Sequence, residues 1–177
     1  MPAPTLTTPR LTLSPPTLAD FEESRAMWAD PLVTRHVGGR PFTEEESWTR
    51  LMRARGLWEV LGYGYWAVRE TSTGRYVGDV GFADLRRELE PSLYGLPEMG
   101  WVLAAWSHGQ GFGTEAVQAG LAWIDEALAP PVVPCIINVE NAPSIALATK
   151  VGFRAKTHAS YRGSPILVME RRGPNLD

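Results

Sequence analysis

The chain has 177 residues, of which 44% are hydrophobic and 21% are charged, a composition typical of a globular protein with a sizeable core. Its net charge of -3 gives no basic surplus for nucleic acid, and no apolar run approaches the about 20 residues that span a bilayer. The single cysteine, Cys135, excludes an internal disulfide and a CxxC metal site. We therefore expect one domain over residues 1–177, in the cytoplasm, with no nucleic-acid or membrane partner.

The hydrophobic pattern alternates between extended and helical periods, with no internal repeat or linker. In chain order it predicts strand 10–13, helices 18–28 and 43–61, strands 65–70, 76–82 and 97–104, helix 113–128, strand 132–139, helix 143–151, and strands 154–161 and 166–171. Thr43 and Glu46 have the spacing of a capping box, and Pro31 is expected to close the first helix. This order predicts an α/β (α+β) fold, a mixed sheet with helices on both faces.

Three glycines, Gly109, Gly111 and Gly113, lie between the strand 97–104 and the helix 113–128. Without side chains, backbone N–H groups can converge on an anion, and the helix adds the positive end of its dipole. The segment therefore predicts a pyrophosphate cradle, with a ligand-free turn as the alternative. A Walker A loop is excluded because no lysine follows the glycines.

A dinucleotide fingerprint is a second alternative for this loop. Residues 111–116 fit the pattern GxGxxA between a strand and a helix, and Glu140 ends the next strand. That fingerprint normally opens a long series of strand–helix units, whereas residues 117–177 leave room for one more helix. A dinucleotide-binding oxidoreductase is therefore the less favoured interpretation.

Two further motifs lie on either side of the glycine loop in the sequence. Residues 98–103 read EMGWVL, a strand that begins with a carboxylate. Residues 141–153 read NAPSIALATKVGF, in which polar groups at the end of a strand cap the next helix. With the loop HGQGFGTEA at residues 108–116, the chain resembles the GNAT acyltransferase superfamily, and within it the ribosomal-protein N-terminal acetyltransferases (RimJ/RimL type). The resemblance covers nearly the whole chain, from residue 9 to the last strand pair.

The resemblance implies a GNAT-like, largely antiparallel, seven-stranded mixed sheet whose fourth and fifth strands splay apart. It implies an acetyl-CoA-dependent N-acetyltransferase that moves the acetyl group to a primary amine, on a protein N-terminus or a small molecule, by direct attack in a ternary complex. Acetyl-CoA would be the acyl-donor cosubstrate, with no metal, and a homodimer is the assembly expected from the family.

Pantetheine would lie in the opening between the splayed strands, and the pyrophosphate would lie on the loop. His108 stands where the family pattern has Gln or Arg, which affects a side-chain contact but not the backbone cradle. Asn138 and Glu140, two residues apart at the end of a strand, are expected on one face. The predicted cofactor-binding residues are Trp101, Val102, Leu103, His108, Gly109, Gln110, Gly111, Phe112, Gly113, Thr114, Asn138, Asn141 and Ser144.

Two residues are predicted to be catalytic. An amine is mostly protonated at neutral pH and must lose a proton before attack, so Glu98 is a candidate general base, with a solvated strand-end carboxylate as the alternative. Ser144 is a candidate proton donor to the leaving thiolate, with a residue that bonds its own helix terminus as the alternative. Tyr161 is a second candidate donor. Asn141 can cap the helix, face pantetheine, or do both.

Other features stay open at this stage. The first-half tryptophans, Trp28, Trp48, Trp58 and Trp66, are interpreted as core, with an aromatic wall for the acceptor as the alternative. The lone histidines have no second ligand at metal spacing. A non-catalytic acyl-CoA-binding or sensor module on the same fold is the main rival function. Nothing in the segments 35–42 and 86–96 names the acceptor.

Overall fold

The computed structural model describes residues 3–174, and it confirms the predicted α/β architecture. The strands are β1 (Leu6–Thr7), β2 (Leu11–Ser14), β3 (Tyr65–Glu70), β4 (Tyr76–Ala83), β5 (Glu98–Leu103), β6 (Val132–Asn138), β7 (Arg154–Tyr161) and β8 (Ser164–Arg172). The helices are α1 (Phe21–Trp28), α2 (Pro31–Thr34), α3 (Glu44–Leu61), α4 (Phe112–Ala127) and α5 (Ala142–Lys150), with short 3₁₀ turns at Leu18–Asp20 and Ala105–Ser107.

The strands form two antiparallel sheets that diverge at the centre of the molecule. The first has the order β1-β2-β3-β4-β5, and the second has the order β6-β8-β7. β5 is hydrogen-bonded to β4 on one side only, so its other edge faces β6 across an opening without strand pairing in the described chain. β5 and β6 correspond to the predicted strands 97–104 and 132–139, the fourth and fifth strands that were expected to splay apart. The predicted count of seven is one short, because the two residues of β1 pair with β2.

Local rules explain most helix boundaries. Thr43 and Glu46 form the predicted capping box, with the Thr43 amide donating to Glu46 Oε2 at 2.8 Å and the Glu46 amide donating to Thr43 Oγ1 at 3.2 Å. Pro31 does not simply end a helix, as the sequence suggested. It begins α2 behind the N-cap Asp30, because a proline lacks only an amide that the first helical turn leaves unpaired.

The main core lies between α4 and the first sheet. Ala116, Val117 and Ile124, on the apolar face of α4, are fully buried, and burying a valine or isoleucine side chain contributes roughly 1.5–3 kcal/mol. Gly120 allows this close approach, because a Cβ there would lie 3.2 Å from the Cε atom of Met99. The packing fixes β5 and the start of α4 relative to each other, and these two elements border the candidate site.

Candidate active site

The opening between β5 and β6 widens into a cleft of about 650 Å³. Its walls come from α1, the segment after α2, α3, the strands β3 to β6, the segment between β4 and β5, the start of α5, the end of β7 and the start of β8. Six predicted site residues line it: Glu98, Trp101, Val102, Asn138, Asn141 and Ser144. Leu103 and the glycine loop lie at the far end of β5, outside the cleft itself. The predicted site therefore extends from the cleft along β5 to the loop.

The glycine loop has the backbone that a phosphate cradle requires. Gly109 and Gly111 have φ angles of 72° and 80°, a left-handed conformation that L-residues adopt only at a cost. α4 begins directly after Gly111, one residue earlier than predicted, and its first amide to find an intrahelical acceptor is that of Glu115. The preceding amides of the first turn are therefore available to an anion at the positive end of the helix dipole.

Arg10 braces this loop from the other end of the sequence. Its guanidinium donates to the Glu115 carboxylate at 2.7 Å and to the Gln110 carbonyl at 2.9 Å, and it lies 4.6 Å from the ring centre of Phe112. Burial would raise the pKa of Glu115, but hydrogen bonds from Thr8 and Arg10 outweigh it and lower the pKa. No sequence motif marks this brace, because Arg10 and Glu115 are 105 residues apart in the chain.

The side chain of His108 turns back onto β5. Its Nε2 atom lies 3.0 Å from the carbonyl oxygen of Leu103, the last residue of the strand. The ring therefore joins the end of β5 to the start of the loop. The family pattern has a glutamine or an arginine at this position. In this chain the histidine contacts the protein's own backbone instead.

Glu98 lies at the start of β5, buried at 4% exposure, and is paired with Arg87. Arg87 donates from Nε to Glu98 Oε2 at 2.7 Å and from Nη2 to Glu98 Oε1 at 2.9 Å. The alternative interpretation of Glu98 as a solvated carboxylate is thus wrong. Each carboxylate oxygen has a second lone pair that the arginine does not use. Contact with the carboxylate raises the pKa of Arg87, against the lowering effect of burial.

The start of α5 places two predicted residues in the cleft wall. Asn141 Oδ1 accepts a hydrogen bond from the Ser144 amide at 3.3 Å, which confirms the capping role of Asn141. The hydroxyl of Ser144 makes no hydrogen bond within residues 3–174, so it is free to meet a ligand in the cleft. Asn138 Oδ1 accepts from the Glu140 amide at 2.9 Å. The chain turns there, so Glu140 leaves the cleft wall and the expected shared face is wrong.

Several cleft residues were not predicted, among them Arg87, Tyr65, Asp79 and Arg50. Tyr65, on β3, lies against β5, and a Cβ at Gly100 would collide with its hydroxyl oxygen. Burial raises the pKa of Tyr65 to about 12, so the hydroxyl stays a donor at neutral pH. Asp79 interrupts an apolar stretch of β4, which is the sequence signal that could have identified it.

The Asp79 carboxylate sits at the base of the cleft among donors. It accepts from Trp28 Nε1 at 2.9 Å and from the hydroxyl of Tyr76. Burial nevertheless raises the pKa of Asp79, because the cost of desolvation exceeds the gain from these hydrogen bonds. Arg50 is another unpredicted residue of the cleft, and its guanidinium lies 3.6 Å from the ring centre of Trp28.

The tryptophans divide between core and cleft. Trp58 and Trp66 are core, with ring centres 4.8 Å apart, as expected. Trp48 is 43% exposed, which contradicts a core role, and its ring meets Phe21 edge-on. Among the first-half tryptophans named above, Trp28 is the one that lines the cleft. The Arg50 guanidinium packs over the face of its indole ring.

Tyr161 and Cys135 also border the cleft. Arg87 lies 4.7 Å from the ring centre of Tyr161, which places this tyrosine close to Glu98. Cys135, on β6, is 1% exposed, and burial raises the pKa of its thiol well above the usual range. Within residues 3–174 there is no cluster of three acidic, histidine or cysteine side chains that could hold a metal. No helix in that range is long and apolar enough to cross a membrane.

Comparison with known proteins identifies the family. The model of the acetyltransferase (GNAT) domain matches residues 10–154. N-acetyltransferase p20 of Bacillus licheniformis, itself uncharacterised, is 28% identical over 151 residues, covering 85% of this chain and 82% of that protein. A Bordetella pertussis structure described as a GnaT-family acetyltransferase is 32% identical with a TM-score of 0.84, covering 95% of this chain and 99% of that one.

More distant structures share the fold. Spermidine N-acetyltransferase of Vibrio cholerae, solved with CoA and spermine, has a TM-score of 0.71 at 15% identity and covers 94% of this chain and 97% of its own. Ribosomal-protein acetyltransferases are also among the structures of this fold. The antiparallel first sheet differs from the parallel sheet of a dinucleotide-binding domain, so the loop does not belong to that class.

Proposed function

This chain belongs to the GNAT acetyltransferase family and is an acetyl-CoA-dependent N-acetyltransferase, and from this we propose that it acetylates a primary amine by direct attack in a ternary complex. The observation that carries the proposal is the unpaired edge of β5, which runs from the cleft at Glu98 to the amide-rich loop at Gly109. One continuous surface thus offers a place for a reacting centre, an extended arm and a phosphate group. We propose that residues 1–177 act as one acetyltransferase domain.

The residues present fit acetyl-CoA. The edge of β5 at Trp101, Val102 and Leu103 that faces β6 has no strand partner in the described chain, and the backbone groups that point to this edge suit the amide groups of pantetheine, as in the addition of a strand to a sheet edge. The amides of residues 109–114 suit the pyrophosphate. Asn138, Asn141 and Ser144 form the facing wall of the opening. When bound, acetyl-CoA supplies the thioester whose acetyl group is transferred.

The proposed reaction has one chemical stage. The neutral amine nitrogen attacks the thioester carbonyl carbon, so that a C–N bond forms and the C–S bond breaks. Glu98 accepts the proton that the amine must lose, through a water molecule, because the carboxylate is buried behind Arg87. The Ser144 hydroxyl donates a proton to the departing thiolate, and Tyr161, which also lines the cleft, is the alternative donor.

A covalent acetyl-enzyme does not fit this site. Cys135 is the only cysteine, and although it borders the cleft, burial at 1% exposure raises the pKa of its thiol and keeps it protonated. Direct attack is therefore favoured over a two-step transfer. The acceptor we propose is a small-molecule or peptide amine, the reaction is placed in the cytoplasm, and a homodimer stays a prediction from the family.

Steady-state kinetics with acetyl-CoA and a panel of amines test the proposal. The release of free CoA thiol must depend on the amine, and double-reciprocal plots at several amine concentrations should give intersecting lines. Parallel lines would indicate a covalent intermediate and overturn direct attack. Tight binding of CoA with no thiol release in the presence of any amine would instead support the non-catalytic acyl-CoA-binding module.

A further inference from the structure

The cleft is positively charged although the protein is not. The chain as a whole has a net charge of -3, yet six arginines and three carboxylates line the cleft. The arginines are Arg35, Arg40, Arg50, Arg53, Arg87 and Arg162. A cleft with a surplus of one sign of charge concentrates ligands of the opposite sign.

Each of the three carboxylates already has partners in the protein. Glu46 pairs with Arg40 at 2.6 Å, and Glu98 pairs with Arg87. Asp79 accepts from Trp28 and Tyr76 and makes no ion pair within residues 3–174. The arginines outside these two pairs therefore have no carboxylate of the described chain within salt-bridge distance.

Arg50 is the most enclosed of these remaining arginines. It projects from α3 into the cleft wall, with its guanidinium 3.6 Å from the ring centre of Trp28 and 5.0 Å from that of Phe42. Burial, together with the neighbouring Arg53 guanidinium, lowers the pKa of Arg50 to about 10. The Asp79 carboxylate opposes this lowering but makes no ion pair with Arg50 within residues 3–174. A partly desolvated cation without an ion-pair partner is unfavourable, and an anion in the cleft would relieve that cost.

Trp28 holds this guanidinium in a fixed position. The indole N–H is anchored on Asp79, and the indole face supports Arg50. The guanidinium makes no hydrogen bond within residues 3–174 and lines the cleft, and a planar guanidinium can bind a carboxylate or a phosphate at two points. Arg53, three residues further along α3, lines the same cleft.

The phosphates of CoA are not the natural partners of this arginine pair. The amide cradle for the pyrophosphate follows the carboxyl end of β5, and none of residues 108–114 lines the cleft. Arg50 instead lies against the rings of Trp28 and Phe42, which line the cleft and belong to α1 and to the segment after α2.

We propose that Arg50, assisted by Arg53, binds an oxyanion on the acceptor, so that the preferred substrate is a small amine that also carries a carboxylate or a phosphate. This inference rests on the proposed acetylation of amines. It predicts that polyamines, which carry only positive charge, are poor acceptors, in contrast to the spermidine that gives the Vibrio cholerae relative its name.

Matched pairs of amines test the proposal. γ-Aminobutyrate against butylamine isolates the carboxylate, O-phosphoethanolamine against ethanolamine isolates the phosphate, and spermidine is the polycation. The wild-type protein should show a kcat/KM at least about tenfold higher for the anionic member of one pair, as expected for one charge-assisted hydrogen bond. The pair with the larger ratio identifies the source of the oxyanion.

Variants locate the effect. Arg50→Gln should reduce that ratio about tenfold or more, and Arg50→Lys should retain part of it because the charge remains. Arg55→Gln is the matched control, since Arg55 lies on the same helix, pairs with Glu59 on the surface and does not line the cleft. Arg53→Gln, with a smaller expected loss, serves if the Arg50→Gln protein does not fold. Acetyl-CoA binding should be unchanged in all four variants.

Three results would overturn the inference. If neither anionic amine has a higher kcat/KM than its neutral partner in the wild-type protein, or if spermidine exceeds both anionic amines, the anionic acceptor is removed while the acetyltransferase remains. An anionic preference that survives in Arg50→Gln would show that another group binds the anion. Acetyl-CoA binding without acetylation of any amine would overturn the proposed function itself, and this inference with it.

Discussion

Glu98 and Arg87 form a two-point ion pair inside the cleft, with N···O distances of 2.7 and 2.9 Å. The carboxylate is at the start of β5, and the arginine comes from the segment between β4 and β5. The pair places the candidate proton acceptor and fixes its orientation. Substitution of either residue removes the same ion pair. A difference in kcat between the two variants therefore separates the catalytic role of the Glu98 carboxylate from the structural role of the pair.

Glu98→Gln should lower kcat by about 10²-fold or more, since the amide cannot accept the amine proton. Arg87→Gln should lower kcat less, because the carboxylate remains. Loss of either member of a buried pair costs about 3–5 kcal/mol, so both variants should lose similar stability in urea unfolding. Equal losses of kcat in the two variants would reduce Glu98 to a structural role.

Ser144→Ala should lower kcat by about 10²-fold with little change in stability. The substitution spares the cap, because Asn141 accepts from the backbone amide of residue 144 and not from its hydroxyl. Alanine is also a good helix former. Tyr161→Phe is the comparison, and it should have the smaller effect. A large loss in Tyr161→Phe with a normal Ser144→Ala protein would move the proton donor to the tyrosine.

Gly111→Ala should weaken acetyl-CoA binding and cost about 1–2 kcal/mol of stability, because a φ of 80° is unfavourable for alanine. The added Cβ would also lie 3.3 Å from the Arg10 guanidinium that braces the loop. Gly56→Ala is the matched control, since Gly56 lies within α3 with open space at its Cβ position. It should stabilise the protein by about 0.5–1 kcal/mol and leave binding unchanged. Calorimetric titration and urea unfolding measure both effects.

Cys135 should be inert in the folded protein. Burial at 1% exposure raises the pKa of the thiol, so the reactive thiolate is scarce at pH 8. A thiol-specific reagent should label the protein slowly until it is unfolded, and Cys135→Ala should retain nearly full kcat. Rapid labelling of the native protein with loss of activity would contradict the proposed absence of a covalent intermediate.

Asp79→Asn should gain stability relative to the wild-type protein as the pH rises from 4 to 7. Burial raises the pKa of Asp79 in the folded state above the unfolded value of 3.8. The folded protein therefore binds more protons than the unfolded chain across the window that begins at 3.8, and wild-type stability falls as pH rises through it. Urea unfolding of both proteins at the two pH values measures the difference. A relative loss of stability in the variant at pH 7 would reverse the sign of the Asp79 shift.

Local patterns predicted most of the fold. The strand and helix periods, the capping box at Thr43 and the glycine loop each depend on residues close together in sequence, and the structure confirms them. The separation of β5 from β6 was expected only through resemblance to a family. Whether two strands pair is decided by packing across the whole molecule and leaves no local signal.

The unpredicted parts of the site are contacts between distant segments. Arg10 and Glu115 are 105 residues apart, and Trp28 and Asp79 are 51 apart. In the sequence, Arg50 is one of three arginines on α3 and resembles an ordinary surface cation; only the fold shows that it lies over Trp28. Side chains of this kind set the chemistry of the acceptor cleft, which is why the sequence motifs identify the acetyl donor better than the acceptor.

Thermal unfolding of the wild-type protein with acetyl-CoA, CoA or NADH tests the central claim, that β5 and the glycine loop bind the acetyl donor. A ligand that binds only the folded state at 100 times its Kd adds about 2.7 kcal/mol of stability. Acetyl-CoA and CoA should therefore raise the Tm by several degrees, NADH should not, and Gly111→Ala should reduce the rise. No rise with either CoA ligand at saturating concentration would contradict the assignment of the site.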